Sequence, residues 1–195
     1  MARPDIKDDR REQILDAFEA CVARYGVEGA TLGKTAEIAG LARPLIRHNV
    51  GNRDDLLAAL VERFLAQSRS STAALLDMLP GENRMEALIE ILFDPRYANP
   101  QAVLVFNALS AAALEDRALG DHLQSWLGDF VDVLAREIAA AHSQADEKDV
   151  RAVAAGITGI YFNVEALHPI NVPMSFSQDS KRAARLLLST LARAT

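Results

Sequence analysis

The amino-acid sequence predicts an all-α protein with an N-terminal three-helix helix-turn-helix domain, residues 1–65, followed by a larger helical domain, residues 66–195. Half of the 195 residues are hydrophobic, so the chain can bury a core without disulfides or metals. Alanine and leucine, both strong helix formers, dominate this fraction, whereas aromatic residues make up only 6%. Apolar residues also recur at helical spacing along most of the chain.

The first helix is expected over residues 8–25, with Gly26 as its C-cap. Its apolar face contains Ile14, Leu15, Phe18, Val22 and Tyr25. Thr31 is a natural N-cap for a second, short helix that ends at Gly40. Pro44 suits the first turn of a third helix, because its missing N–H leaves no hydrogen bond unmade there.

Asn52 is expected to cap a fourth helix, with Asp54 and Asp55 favourably placed near its positive end. The polar residues 67–71 are expected to interrupt the helical pattern. Further helices are then expected over residues 72–79, 84–93, 100–115, 118–142, 147–167 and 178–194. Residues 168–173 contain two prolines and are predicted to form a loop.

The net charge of −6 is unusual for a protein that binds nucleic acid. Residues 1–65 contain 10 Lys and Arg against 11 Asp and Glu, a net charge of −1. Residues 66–195 contain 11 against 16, a net charge of −5. Any contact with DNA therefore depends on where the cations of the first domain lie, rather than on a general excess of positive charge.

The single cysteine, Cys21, cannot form an internal disulfide and indicates a reducing compartment. No segment reaches the roughly 18 uninterrupted apolar residues that a membrane-spanning helix needs. The first residues also lack the apolar core of a signal peptide. We therefore expect a cytoplasmic protein without a membrane partner.

The residue types that carry catalysis form no recognisable pattern. His48, His122, His142 and His168 are scattered, without the spacing of a zinc motif. Cys21 has no histidine or aspartate at a fixed spacing, and the sequence has no glycine-rich phosphate loop. We expect no enzymatic activity, no cofactor and no bound metal.

Residues 31–50 carry the strongest functional signal, two short helices separated by a glycine-containing break. Arg43 and Arg47 are four residues apart and so share one face of the second helix. Either can form two hydrogen bonds with guanine, and Asn49 has the donor and acceptor that suit adenine. Candidates for phosphate contacts are Thr31, Lys34, His48 and Arg53. The alternative is that these are solvated polar residues on two short helices.

A longer pattern over residues 10–65 surrounds these two helices. It consists of Ile14-Leu15-Asp16-Ala17, Tyr25-Gly26 with Ala30-Thr31-Leu32, Ala36-Glu37-Ile38-Ala39-Gly40-Leu41, Leu45-Ile46-Arg47-His48 and Asn52-Arg53-Asp54-Asp55-Leu56-Leu57. In order and spacing the pattern resembles the DNA-binding domain of the tetracycline-repressor (TetR) family. The resemblance implies that the third helix docks in the major groove of double-stranded DNA and that His48 touches the DNA backbone. The expected DNA-binding residues are Thr31, Lys34, Arg43, Pro44, Arg47, His48, Asn49 and Arg53.

The sequence departs from the family pattern in and near the recognition helix. Family members usually carry aromatic residues on both sides of the histidine, where this chain has Arg47 and Asn49. Thr35 replaces a hydrophobic residue, and Pro44 stands where glycine or a small residue is common. These differences affect the operator sequence and the phosphate contacts rather than the docking mode.

Wide apolar stripes mark the two last predicted helices. Either the core of a single chain absorbs these stripes, or the two helices pair with those of a second copy, as the TetR resemblance implies. The expected dimer-interface residues are Val153, Gly156, Ile157, Ile160, Leu187 and Leu191. A twofold dimer would present two recognition helices about one turn of DNA apart, roughly 34 Å, and would match a palindromic operator.

Residues 84–142 are where the resemblance places a pocket for a small-molecule effector. Candidate effector-binding residues are Tyr97, Phe106, Asn107, Ser110, His122, Trp126 and Phe130, with Asn163 and Glu165 from the following helix. The few polar groups among apolar side chains suit a moderately hydrophobic molecule. Core packing is the competing explanation for each of these residues.

The leading hypothesis is therefore a transcriptional repressor that releases its operator when a small molecule binds. A second hypothesis is a helical protein–protein adaptor that uses the same surface without DNA. A third is a small-molecule carrier, or an enzyme without a cofactor, in the second domain.

Overall fold

The computed structural model describes residues 6–192, and over that range it contains nine α-helices, two short 3₁₀ turns and no strand. The helices are α1 (Ile6–Gly29), α2 (Leu32–Ala39), α3 (Arg43–Val50), α4 (Arg53–Asp77), α5 (Arg84–Leu92), α6 (Pro100–Ala112), α7 (Arg117–Ala141), α8 (Glu147–Ala166) and α9 (Met174–Leu191). The 3₁₀ turns are Pro95–Tyr97 and His168–Ile170. None of the described helices is both long and apolar enough to span a membrane. The all-α prediction is confirmed.

The helices form two compact units. The first contains the described residues up to Ser68 together with Gln101–Asp121, and the second contains Arg69–Pro100 and the described residues from His122 onward. Helix α6 therefore packs in the same unit as the helix-turn-helix, although the sequence analysis assigns it to the second domain. A functional boundary between residues 65 and 66 stays a prediction.

The core of the first unit is built from α1, α2, α3 and α4. Its buried side chains include Ile14, Phe18, Val22, Ala36, Ile46, Leu56, Leu60 and Phe64. Tyr25, which the sequence analysis assigns to the apolar face of α1, is 41% exposed instead. Gly26 has a φ of 72° and interrupts the helix directly after Tyr25, so this ring lies at the edge of the core.

The turn between α2 and α3 depends on Gly40, whose φ of 65° is in the left-handed region that glycine adopts without strain. The Leu41 N–H donates to the Ala36 carbonyl at 2.9 Å, which closes the end of α2 as a Schellman motif does. The Gln13 side chain of α1 donates to the Ala39 carbonyl at 3.0 Å. Local sequence and one tertiary contact thus end α2 at the predicted position.

Helix α4 begins with a reciprocal capping arrangement. Asn52 Oδ1 accepts the N–H groups of Asp54 at 2.7 Å and Asp55 at 3.0 Å, and the Asn52 N–H donates to Asp55 Oδ2 at 2.8 Å. This confirms the predicted cap. Gly51 has a φ of 86°, a left-handed conformation that strains any other residue, and an added Cβ would displace the Asp55 carboxylate from the cap.

Several predicted helix boundaries are wrong: α1 continues past its predicted cap Gly26, where it is kinked, to Gly29, and α6 ends at Ala112 rather than residue 115. Helix α4 continues without a break through residues 67–71 to Asp77, because this polar run contains neither glycine nor proline and is compatible with a helix. Helix α9 begins at Met174, four residues earlier than predicted, directly after Pro173. The predicted loop over residues 168–173 contains the second 3₁₀ turn.

The second unit has its own core, formed by α5, α7, α8 and α9. Residues on α8 and α9 that the sequence analysis assigns to the dimer interface lie in this core: Val153 is 6%, Ile157 0% and Leu191 5% exposed. Ile160 and Leu187 are partly buried against it. The core of a single chain thus absorbs the side chains of Val153, Ile157 and Leu191, which favours the first of the two alternatives for them, and their place in a dimer interface stays a prediction.

Ion pairs also join helices within the second unit. Arg84 of α5 forms two hydrogen bonds with Glu137 of α7, at 2.9 and 3.0 Å, which hold the pKa of that carboxyl below its usual value. The cations of Lys181 and Arg185 on α9 bind the carboxylates of Glu86 and Glu90 on α5. Polar contacts therefore support the packing of α9 at its partly exposed side.

Candidate functional site

Helix α3 is anchored to the first unit by one side and exposed on the other. Ile46 is fully buried, and no other residue of α3, all of which are described, is buried. Because an α-helix turns by about 100° per residue, Pro44 and His48 point away from Ile46, with Arg47 beside them. All three are exposed. Helix α3 thus presents a polar face to solvent.

The N-terminal end of α3 is electropositive. Its N-cap residue is Ala42, which has no side chain that could accept a hydrogen bond from the first turn. The first turn contains Arg43 and no acidic residue, although the helix dipole favours a negative charge there by about 0.3–1 kcal/mol. This arrangement is unfavourable for the isolated protein and favourable for binding an anion such as a DNA phosphate.

Arg43, Arg47 and His48 are exposed, and no hydrogen bond or ion pair joins their side chains to another described residue. Their donors remain available to a partner. Asn49 differs, because its Nδ2 donates to the Leu45 carbonyl at 2.7 Å and the residue is only partly exposed. Asn49 lies on the side of α3 near Ile46, so the structure does not place it with the exposed arginines as expected.

The start of α2 contributes a second group of polar residues. Thr31 Oγ1 accepts the Lys34 N–H at 3.3 Å, which confirms Thr31 as the N-cap. The Lys34 ammonium donates to the Gly29 carbonyl at 3.2 Å and lies 4.1 Å from the centroid of the Tyr25 ring. The Arg24 guanidinium lies 5.2 Å from the same ring. Two cations are thus held against Tyr25, a grouping that the sequence analysis missed because it placed this ring in the core.

The Arg53 guanidinium forms hydrogen bonds within the protein that its place in the sequence did not predict. Its Nη2 donates to the Val27 carbonyl at 2.6 Å, and its Nε donates to the Ala30 carbonyl at 3.1 Å. It also lies 3.4 Å from a carboxylate oxygen of Glu28. These contacts tie the start of α4 to the C-terminal end of α1 and to Ala30, just before α2, and the expected phosphate contact of Arg53 stays a prediction.

The contacts of Thr35 show why a threonine can stand where the TetR pattern has a hydrophobic residue. The residue is fully buried, and its Oγ1 donates to the Thr31 carbonyl at 2.9 Å. The hydroxyl is therefore satisfied within α2, and burial leaves no polar group unpaired. Threonine can occupy this core position without losing the helix.

Arg63 of α4 links α4 to α1. Its guanidinium lies 2.5 Å from Asp16, 3.3 Å from Glu12 and 3.5 Å from Glu19, and its side chain is only 19% exposed. Glu19 in turn accepts a hydrogen bond from Gln101 of α6 at 3.0 Å. A continuous polar chain therefore connects α4, α1 and α6 within the first unit.

A cavity of about 180 Å³ lies between α4 and α7 in the second unit. Its walls are mainly apolar, and they contain two of the predicted effector-binding residues, Trp126 and Phe130. Arg69 and Asp129 add one positive and one negative group to the lining. The volume is similar to that of a protein cavity of about 150 Å³ that binds benzene, so the cavity suits a small, mainly apolar molecule.

The structure does not bring the other predicted effector-binding residues to this cavity. Phe106, Asn107 and Ser110 lie on α6 in the first unit, where Phe106 stacks against Phe64 at 6.2 Å. Tyr97 is 52% exposed on a 3₁₀ turn, with the Arg96 guanidinium 6.0 Å from its ring, and His122 is exposed. The Phe106–Asn107–Ser110 group and the Trp126–Phe130 pair therefore belong to different units.

An aromatic cluster continues from Trp126 and Phe130 into α8. Phe162 lies 5.3 Å from Trp126 and 5.5 Å from Phe130, and Tyr161 lies 5.9 Å from Phe130. Burial raises the pKa of the Tyr161 hydroxyl, and burial also raises the pKa of the Glu165 carboxyl one turn further along α8. Asn163 is exposed. The sequence analysis missed Tyr161 and Phe162 because their helical spacing also fits plain core packing.

Comparisons with known proteins identify relatives of the same kind. The chain is 29% identical to the HTH-type transcriptional regulator BetI of Cronobacter sakazakii over 178 residues, 85% of this chain and 88% of the relative. It is 30% identical to the HTH-type transcriptional repressor AcnR of Corynebacterium glutamicum over 95 residues, which span 49% of this chain and about half, 47%, of the repressor. No family model matches the chain.

The fold is shared with solved regulators. The structure of a TetR transcription regulator from Haloarcula marismortui matches 94% of this chain and 98% of its own length, with a TM-score of 0.72 and 17% identity. The exposed α3, its position in the helix-turn-helix and these relatives define a helix-turn-helix transcriptional regulator. The chain thus shares its fold with solved TetR-type regulators and is similar in sequence to HTH-type transcriptional regulators over most of its length.

Proposed function

We propose that the protein is a repressor that binds a palindromic operator as a homodimer and releases it when a small molecule binds in the second unit. The observation that carries the DNA-binding part is the set of unpaired donors of Arg43, Arg47 and His48 on the exposed face of α3. Arg47 reads base edges, and His48 and Lys34 contact phosphates. Arg53 and Asn49 also support the geometry of this surface through their hydrogen bonds within the protein.

The distribution of charge confines the proposed DNA binding to a small part of the protein surface. With a net charge of −6, the chain has little general attraction for DNA, so binding depends on the cations of α2 and α3. A small number of phosphate contacts gives a shallow dependence of affinity on salt concentration. Specific base contacts must then supply most of the discrimination between operator and other DNA.

Arg47→Ala is expected to weaken operator binding by about 1–3 kcal/mol, because a guanidinium that reads guanine loses two hydrogen bonds. His48→Ala is expected to lower affinity for operator and unrelated DNA to the same extent and to flatten the salt dependence. Gel shifts and fluorescence anisotropy at several salt concentrations, with the DNA upstream of the gene, measure both effects. Arg136→Ala, at an exposed arginine of α7 that lines neither cavity, is the matched control. If the wild-type protein shows no salt-dependent binding to this DNA, the repressor proposal fails and the adaptor hypothesis gains.

The continuity of α4 supports communication between effector and operator. Its first half packs in the helix-turn-helix unit through Leu56 and Leu60, and its last turns line the cavity through Thr72 and Leu76. We propose that α4, which contributes residues to both units, carries the effect of a bound ligand from the cavity to the helix-turn-helix. A difference of about 1–3 kcal/mol in ligand affinity between two states gives roughly 5–150-fold release.

Ligand binding in the cavity is expected to change the fluorescence of Trp126, the only tryptophan in the sequence. Titration with a series of small aromatic and aliphatic molecules, followed by gel shift with those that bind, tests the proposal. Ala73→Leu fills the cavity from α4 and is expected to abolish ligand binding, while operator binding stays within about twofold because Ala73 lies outside the helix-turn-helix. Release of operator by the same ligands in this variant would place the effector elsewhere.

The dimer surface is proposed on the exposed sides of α8 and α9. Ala155 and Gly159 of α8 are exposed small residues that allow a close helix approach, and Leu186 of α9 is 58% exposed. Gly156 faces inward instead, because a Cβ there would lie 3.1 Å from Leu187 Cδ1 of the same chain. The proposed interface therefore lies on the other side of α8 from the buried stripe.

A further inference from the structure

A second cavity, of about 360 Å³, lies within the first unit, and it shares no lining residue with the effector cavity. Its lining includes Val27 from the last turn of α1, and Ala108 and Ala112 from α6. Leu57 of α4 and Leu119 of α7 complete an apolar floor. The volume lies in the range of small-molecule sites, about 300–1,000 Å³.

All of the charged residues that line this cavity are acidic. Its charged lining residues are Glu28, Glu115 and Asp116, and no lysine, arginine or histidine lines it. Asp116 keeps one oxygen on the Leu119 N–H at 3.1 Å, where it caps α7, and Glu28 lies beside Arg53. Glu115 is exposed, and its side chain forms no hydrogen bond or ion pair with another described residue, so its carboxylate is available to a ligand.

These carboxylates do not form a metal site. Within residues 6–192, no group of three or more histidine, cysteine, aspartate or glutamate side chains lies close enough together to hold a metal ion. The carboxylates that line the cavity would repel an anion, and a neutral ligand would form no ion pair with them. The complementary ligand has an apolar body, which covers the alanine and leucine surface, and a positive group near Glu115.

We propose that this cavity of the first unit binds a small organic cation with an apolar body, at a site separate from the effector cavity between α4 and α7. The ligand touches Val27, whose carbonyl holds the Arg53 guanidinium at 2.6 Å. It therefore contacts the last turn of α1, just before α2, and it does so without passing through the second unit. This inference does not depend on the proposed effector cavity.

The test uses the full-length protein with labelled valine and leucine methyl groups and the probe benzyltrimethylammonium, monitored by NMR. Saturable shifts are expected for the methyl groups of Val27, Leu57 and Leu119. Benzyl alcohol, which is neutral, is expected to bind about two- to fivefold more weakly, since one exposed charge pair accounts for a change of that size, and the anionic benzenesulfonate is expected to bind more weakly still. Trp126 fluorescence separately records any binding of the probe in the second unit.

Glu115→Gln is expected to weaken binding of benzyltrimethylammonium about two- to fivefold, and Glu115→Lys to weaken it further. Glu62→Lys is the matched control, because Glu62 is an exposed carboxylate of the same unit that does not line the cavity. Wild-type affinity is expected for this control. Absence of shifts at the three methyl groups, equal binding of benzyl alcohol, or unchanged affinity in Glu115→Lys would overturn the proposal.

Discussion

Ile46→Ala is expected to destabilise the protein by about 2–5 kcal/mol and to abolish operator binding, because Ile46 is the only buried residue of α3. Removing its side chain leaves a cavity at the contact that orients the recognition helix. Without that contact, Arg47 and His48 no longer have a fixed position from which to bind DNA. Urea unfolding gives the change in the free energy of unfolding, and fluorescence anisotropy gives the operator affinity.

Leu45→Ala provides the matched control for Ile46→Ala. Leu45 is the neighbouring residue and is 38% exposed, so its loss is expected to cost less than about 1 kcal/mol. If Ile46→Ala also changed the free energy of unfolding by less than this amount, α3 would have to be held by contacts other than its buried face. The interpretation of α3 as a helix anchored by one side chain would then be incorrect.

Gly159→Leu is expected to convert the protein into monomers and to lower operator affinity by about 10²–10⁴-fold, because two half-sites can no longer be bound at once. Gly159 is exposed, and an added Cβ would have no neighbour within 4 Å in its own chain, so the substitution tests only the surface of the folded protomer. Analytical ultracentrifugation measures the oligomeric state. Circular dichroism checks that the variant is folded.

Gly128→Leu on α7 is the matched control, since Gly128 is also a helical glycine with open space around its Cβ. It is expected to remain dimeric. Gly156→Leu would not distinguish the possibilities, because the new side chain would collide with Leu187 within the same chain. A dimer that persists in Gly159→Leu would show that the interface lies elsewhere on the second unit.

The helices of the first unit could be predicted because their ends carry local signals. Thr31, Gly40 and Asn52 each act within three or four residues along the chain, through hydrogen bonds that the structure contains. The break expected at residues 67–71 was wrong for a related reason. A polar run without glycine or proline lacks a local signal that ends a helix, and α4 continues through it.

The exposed part of the site was also predictable. Arg43, Arg47 and His48 are short-range neighbours on α3, and their spacing alone places them together. Asn49 and Arg53 share the same segment and the same polar character, yet their side chains donate hydrogen bonds to main-chain carbonyls of Leu45, Val27 and Ala30. Composition and spacing do not reveal such contacts, because the acceptors are backbone atoms that every residue carries.

The sequence by itself determined the all-α class, the helix-turn-helix and the polar face of α3, because these depend on helical periodicity and on caps that act over a few residues. Only the tertiary structure decided which apolar stripes are internal. Val153, Ile157 and Leu191 have the same spacing whether they face their own core or a second copy, and only packing against α5 and α7 places them inside. The tertiary structure likewise places Trp126 and Phe130 at one cavity and Phe106 and Asn107 in the other unit. The sequence could not show this grouping, because the cavity is formed by residues that are far apart along the chain.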